Sequence, residues 1–264
     1  VITSAFRRRD YIKITLLGFA VTALWQSLHS IILPVRLLDF VPEAQKNTYL
    51  GLMTLTGLLL AMLYQPIIGA ISDRSVSRWG RRRPFILAGG LAAVLLIPGV
   101  GLAGGFTGLF VFYCLLQLAS NTAQGPFQAF IPDMVPAQKR GLASGVKALL
   151  EIIGGAALIY VSSLFVDRYL AGAGSQWLWM ILAILAALLA GGVVYTVAAV
   201  KESPSGPGGP RTSLLQTLAH TARHISANRD MVWFLASRLL VYMAFTTIQQ
   251  FALYFLRDVI GMAD

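Results

Sequence analysis

Charge is scarce in this chain. Only 12% of its 264 residues are Asp, Glu, Lys or Arg, about half the share of a soluble domain. Acids are the scarcer sign, 11 against 21 Lys and Arg. A single cysteine, Cys114, excludes an intrachain disulfide and points to no redox role. No cluster of metal-ligand residues, no phosphate-cradling P-loop and no nucleophile–base pair can be found, so the chain reads as no enzyme and calls for no cofactor or metal. What is abundant is apolar: 56% of residues are hydrophobic and the mean hydropathy is +0.70. The apolar residues come in runs of roughly twenty or more, enough to cross a hydrocarbon core of about 30 Å. The net charge of +10 would suit nucleic acid, but the basic residues are sorted by side of a membrane rather than gathered on one globular face, which argues against that partner.

Seven spans are expected: Ile14–Leu38, Leu50–Ile71, Pro84–Leu102, Gly108–Ile131, Leu142–Val166, Trp177–Val200 and Met231–Phe255. Fifteen Lys and Arg lie in the N-terminal segment and in every second connection, against three, Lys46, Arg168 and Arg257, in the others. That bias places the N-terminus and the Ser72–Arg83 loop in the cytoplasm of a cell (plasma or inner) membrane protein. The Arg7-Arg8-Arg9 start resembles a signal peptide, but the run behind it is too long and carries Gln26 and His29, so it reads as a retained helix. Val1 is no initiator methionine and the chain stops soon after the seventh run, so both ends are expected to be cut. Ser203–Pro210 reads as a flexible linker and Thr212–Arg229 as a basic amphipathic helix on the membrane surface.

Polar residues inside the spans are not scattered. Gln117, Asn121, Gln124 and Gln128 are spaced i, i+4, i+7, i+11, one narrow face of span 4. An unpaired amide in hydrocarbon costs several kcal/mol. Four in a stripe therefore predict a cavity wall, with interhelical bonding as the bland reading. Span 1 repeats the theme with Thr22, Gln26, His29 and Ser30. Both spans carry a proline, Pro34 and Pro126, and interrupted helices at matching places in internal repeats point to a substrate site. Arg36 lies near an end and is expected to snorkel into water. On span 5, Glu151 falls about ten residues from the cytoplasmic end, ~15 Å deep. An intramembrane carboxylate marks a proton pathway, with the ammonium of Lys147 one turn away; a neutral pair serving packing is the bland reading. Span 7 places Arg238, Tyr242 and Gln249 on one face.

The series Gly69-Ala-Ile-Ser-Asp73-Arg74, followed by Gly80-Arg81-Arg82-Arg83-Pro84, resembles the loop between helices 2 and 3 of major facilitator superfamily transporters. Four extra residues before Gly80 and the ending Arg-Pro-Phe resemble the glycoside–cation symporters and sucrose transporters. Asn121 through Gln124-Gly125-Pro126 to Asp133 is similar to helix 4 of the sucrose branch, and Ala23–Pro34, weakly, to its helix 1. The resemblance implies an all-α membrane protein of the major facilitator fold, with seven transmembrane helices present of an expected twelve. Residues 1–200 would be the N-terminal six-helix half, 201–230 the cytoplasmic connection and 231–264 the first helix of the second half. It also implies that Gly69, Asp73, Arg74, Gly80, Arg81 and Arg82 form a conformational latch.

Two departures matter. Gln128 stands where the plant sucrose carriers usually have an arginine. Leu50–Ile71 has no acid and span 4 only Asp133 at its edge, unlike the acidic sodium site of melibiose-type symporters, so protons are the expected coupling ion. The leading expectation is a secondary active transporter of a sugar or glycoside, monomeric at full length, with Gln26, His29, Asn121, Gln124, Gln128 and Gln249 on the substrate face. Glu151 is the expected proton carrier, with Lys147 beside it and His29 in reserve. Two alternatives stay open: an efflux carrier of an amphipathic molecule, and a pigment-complex assembly factor of the same fold.

Overall fold

The computed structural model describes residues 7–202, 223 and 227–258. Seven helices among these are long and apolar enough to cross a membrane: α1 (Arg8–Leu38), α2 (Lys46–Asp73), α3 (Arg83–Leu102), α4 (Phe106–Met134), α5 (Arg140–Leu170), α6 (Gln176–Ala199) and α7 (Arg229–Asp258). No strand occurs among the described residues. Helices satisfy every backbone group within the segment, which the absence of water in hydrocarbon demands. The helices α2 and α5 run several residues past their expected spans, because helical hydrogen bonding continues where apolar composition stops. The expected linker Ser203–Pro210 and most of the expected surface helix Thr212–Arg229 lie outside the described residues.

The chain divides into two compact units, Val1–Gly206 and Pro207–Asp264. Within the first, α1 packs along α5 and α6, while α4 packs along α2 and α3; α3 and α6 join the two groups. Helices α1 and α4 meet through long side chains, among them Trp25 with Ser120 and His29 with Tyr113. In the second unit α7 is a single 30-residue helix with Asp230 in its first turn and Asn228 Oδ1 accepting from the Met231 amide at 3.3 Å.

Both prolines singled out in the sequence sit at interruptions. In α1 a π-helical turn, Leu28–Ile32, precedes Pro34, and the Leu33 amide bonds Leu28 O, five residues back. Proline brings no N–H for the carbonyl four residues before it, which lets the ladder widen locally, although Pro66 and Pro98 sit inside α2 and α3 without an assigned interruption. In α4 the helix slips at Ala129, three residues past Pro126, and resumes over Phe130–Met134.

Arg36 does not snorkel. It is buried, 7% exposed, and caps the far end of α3: its guanidinium donates to the carbonyls of Val100 (3.3 Å), Gly101 (3.4 Å) and Ala103 (2.8 Å). Asp39 receives it at 2.5 Å and Tyr169 of α5 donates to that same carboxylate at 2.9 Å. The last carbonyls of a helix lack partners of their own and carry partial negative charge, which draws a cation from a neighbour more strongly than the membrane surface does.

Candidate functional site

Three polar clusters stand out in the first unit. The first bridges α1 and α4. Tyr113 and Ser120 are both buried. The Tyr113 hydroxyl accepts from Gln117 Nε2 (3.1 Å) and lies 3.1 Å from His29 Nε2. Having accepted one bond, it can give its own proton to the histidine, which then carries its proton on Nδ1. Ser120 Oγ accepts from Trp25 Nε1 and from Gln124 Nε2, each at 2.9 Å. Asn121 Nδ2 donates to Gln117 O (2.8 Å) and Gln117 Oε1 (3.2 Å). Trp25 stacks on His29 with ring centroids 5.1 Å apart, and Tyr113 meets both rings edge-on. Gly57 of α2 is the seat of this cluster. A β-carbon there would fall inside the Tyr113 hydroxyl and 2.8 Å from Gln117 Nε2, so only glycine lets α2 approach so closely.

The second cluster lies toward the Arg-rich end, between α4 and α5. A cavity of about 380 Å³ is lined by Gln128, Ser144, Lys147 and Glu151 together with Ile131, Pro132 and Ala148. Lys147 Nζ is 3.3 Å from Glu151 Oε1, and both side chains are half-buried. The ammonium also sits 5.8 Å from the Phe127 ring centroid. Glu151 leans on α1, where a β-carbon on Gly18 would lie 2.9 Å from its Oε1. Such close helix contact is what small residues provide in membranes.

The third cluster is the Arg-rich loop. Arg82, 4% exposed, is its centre: it bonds Asp73 Oδ1 (2.7 Å) at the end of α2, Asp133 Oδ2 (2.6 Å) at the end of α4, and Ser72 Oγ (3.4 Å). Arg81 shares Asp133 at 2.9 Å. Gly80 holds φ +95°, the left-handed region that disfavours any side chain. The bend turns the amides of Arg82 and Arg83 to one side, and Glu202 Oε2 accepts both, at 3.0 and 3.1 Å. The Arg83 guanidinium donates to Val197 O near the end of α6. Gly69 contributes its carbonyl, which accepts from Ser72 Oγ at 2.8 Å; Arg74 lies next to the paired Asp73.

The stripe of four amides is thus divided between clusters. Gln117, Asn121 and Gln124 belong to the seam with α1, whereas Gln128 is exposed and belongs to the cavity with Lys147 and Glu151. Gln26 points to α5 instead, its Cγ 3.1 Å from where Gly155 would carry a β-carbon. The side chain of Gln249, in α7, lies outside the described residues. Sequence reasoning passed over Tyr113, Ser120, Trp25 and Glu202. The first three look like ordinary helix residues. Glu202 carried one usable signal: it is an acid following span 6 on the side where five arginines wait.

The chain is similar to several known proteins. The chain is 31% identical over 144 residues to the human solute carrier family 45 member 4, covering 48% of this chain and 18% of that protein. It is 31% identical over 178 residues to the rat proton-associated sugar transporter A (60% and 23%), and 27% over 153 residues to the Arabidopsis thaliana sucrose transport protein SUC3 (50% and 24%). The chain therefore spans about a quarter or less of the length of these relatives. Among solved structures, a bacterial homologue of the human lysosomal transporter Spinster, inward-facing and unoccupied, superposes with a TM-score of 0.68 over 99% of this chain and 57% of its own. At 18% identity this shows the fold alone. The family of MFS/sugar transport proteins matches residues 16–264. With seven apolar helices in the major facilitator fold and a family match over nearly its whole length, the chain is a multi-pass membrane protein that belongs to the MFS/sugar transport protein family.

Proposed function

We propose that the protein is a secondary active transporter that moves a sugar or glycoside by alternating access, coupled to protons. The observation that carries this is the Lys147–Glu151 pair in the wall of a cavity shared with Gln128. An ion pair inside an apolar span is expensive and is kept where the charge has work to do. Its position beside an exposed amide puts a titratable group next to a group that can bond a sugar hydroxyl. Within the first unit, Gln26, His29, Asn121, Gln124 and Gln128 are the proposed substrate face. The relatives named for proton-associated sugar transport and sucrose transport support the same reading. Full-length protein in liposomes, with an acidic exterior, is expected to accumulate labelled sucrose or maltose above its external concentration. Collapse of the gradient with a protonophore is expected to release it. Uptake that never exceeds equilibrium, with or without a gradient, would leave at most a uniporter.

The proposed orientation follows from the fifteen-to-three bias of basic residues, with the N-terminus and the Arg-rich loop in the cytoplasm of the plasma or inner membrane. A cysteine placed at Ser75 in a Cys114→Ser background is expected to resist impermeant thiol reagents in intact cells and to react after permeabilisation. Labelling in intact cells reverses the orientation.

A further inference from the structure

The seam between α1 and α4 is built in two layers. Tyr113 and Ser120, 1% and 2% exposed, lie seven residues apart on one face of α4. Each hydroxyl holds one side chain from α1 and one from α4: Tyr113 holds His29 and Gln117, and Ser120 holds Trp25 and Gln124. The side chains presented in front of them, Trp25, His29 and Gln124, are only half-buried. We propose that Trp25 is the stacking floor of the substrate site, held there by Ser120, and that the site thereby selects ring-closed sugars over open-chain polyols. This rests on the sugar-transport reading above and adds the substrate's shape to it.

The chemistry follows from what each group has left to offer. A pyranose ring puts its hydroxyls at the rim and its C–H bonds on the faces, so a face is apolar and slightly positive. An indole face is apolar, rigid and negative, and an aromatic side chain gives up few torsions on binding. The indole N–H is already satisfied by Ser120, so covering Trp25 with a sugar leaves no buried donor unpaired. His29 lies against one indole face at an interplanar angle of 27°, and Trp25 keeps part of its surface exposed; the proposed ligand lies on the face opposite His29. The Gln124 amide nitrogen donates to Ser120, and its Oε1 is the proposed acceptor for a sugar hydroxyl at the rim. An open-chain polyol has as many hydroxyls but no ring face to lay on Trp25. Tyr113 and Ser120 are too deeply buried to touch a ligand and are positioning residues.

The test uses the full-length protein and equilibrium binding of labelled maltose, with sorbitol as the open-chain competitor. Trp25→Ala is expected to weaken maltose binding about tenfold, and Trp25→Phe, which keeps a ring, by less than about threefold. Ser120→Ala should raise KM for maltose transport with kcat held, because it loosens the floor without touching the cycle. Sorbitol should compete poorly with maltose in the wild type. Melting temperature screens each variant for folding. If Trp25→Ala does not fold, Trp25→Phe still reports, because the maltose-induced change in tryptophan fluorescence should vanish while maltose stays bound. Equal competition by sorbitol, unchanged maltose affinity in a folded Trp25→Ala, or a Ser120→Ala that loses stability and kcat at constant KM would each overturn the proposal. Those results, with sugar uptake intact in the wild type, leave the transport reading standing. A wild type that binds none of sucrose, maltose and glucose removes both.

Discussion

Glu151→Gln is expected to abolish gradient-driven accumulation of sugar while leaving sugar exchange across liposome membranes within about twofold of wild type, since exchange needs no net proton movement. Glutamine has the shape of the protonated acid, so the substitution fixes one of the two states a coupling group must visit. In the wild type the carboxylate and the Lys147 ammonium form a pair with no net charge, 3.3 Å apart, in a cavity wall. A proton arriving on Glu151 leaves Lys147 uncompensated, with only the Phe127 ring and the cavity polar groups, Gln128 and Ser144, to receive it. Desolvated cations are costly, so that state is tolerable only where water or a polar ligand reaches the cavity. Loading of proton and sugar would thus favour one another. Lys147→Gln should fail in the opposite way, weakening substrate dependence of proton uptake. His29 remains the rival. Its Nε2 is engaged by the Tyr113 hydroxyl, a bond that protonation of that nitrogen would break or reverse. Accumulation that survives Glu151→Gln but is lost in His29→Gln transfers the role to His29; survival in both means that neither carries the proton.

The second large effect is expected at Arg82. Its guanidinium is buried and joins the ends of α2 and α4 through Asp73 and Asp133, so removing it takes that partner from Asp73 and leaves Asp133 with Arg81 alone. Both acids left behind touch solvent, so the cost falls below that of a fully buried pair broken from one side, yet Arg82→Gln, which removes the buried centre of the network, should lower the melting temperature more than any other loop substitution. Asp133→Asn should come next, because Asp133 accepts from both Arg81 and Arg82 and is the less exposed of the two acids. Asp73→Asn should cost least stability, its side chain being 52% exposed. If Asp73→Asn nonetheless stops transport in a protein of normal stability, the aspartate acts as a latch in the cycle. Normal transport in that variant reduces it to a loop brace.

The helices were legible because bilayer length and apolar composition leave little choice of structure. The interruptions were legible only in part: Pro34 and Pro126 sit at them, but Pro66 and Pro98 lack an N–H too and lie in unbroken helices. The amide stripe was legible as a face but not as a site. Spacing says that Gln117, Asn121, Gln124 and Gln128 point the same way; it cannot say that Asn121 spends its donor on Gln117 while Gln128 opens into a cavity. That depends on partners supplied by other helices, and Tyr113, Ser120 and Gly57 have no pattern that marks them. The Lys147–Glu151 pair was visible because both residues lie on one helix. The contacts of Arg36 and Glu202 with backbone groups of distant segments were not, because every sequence supplies such groups equally.

Arg36 also has a mechanical meaning. By tying the last carbonyls of α3 to the last turn of α1, and through Asp39 to Tyr169 of α5, it welds three helix ends into one rim. The short segment Leu33–Leu38 belongs to that rim and cannot tilt without dragging two neighbours along. The rest of α1 leaves the rim through the π turn at Leu28–Ile32, the one place along it where the hydrogen-bond ladder is already widened. A swing of the long arm of α1 would therefore be absorbed there. His29 sits on that joint, so bending there would change its reach to Tyr113.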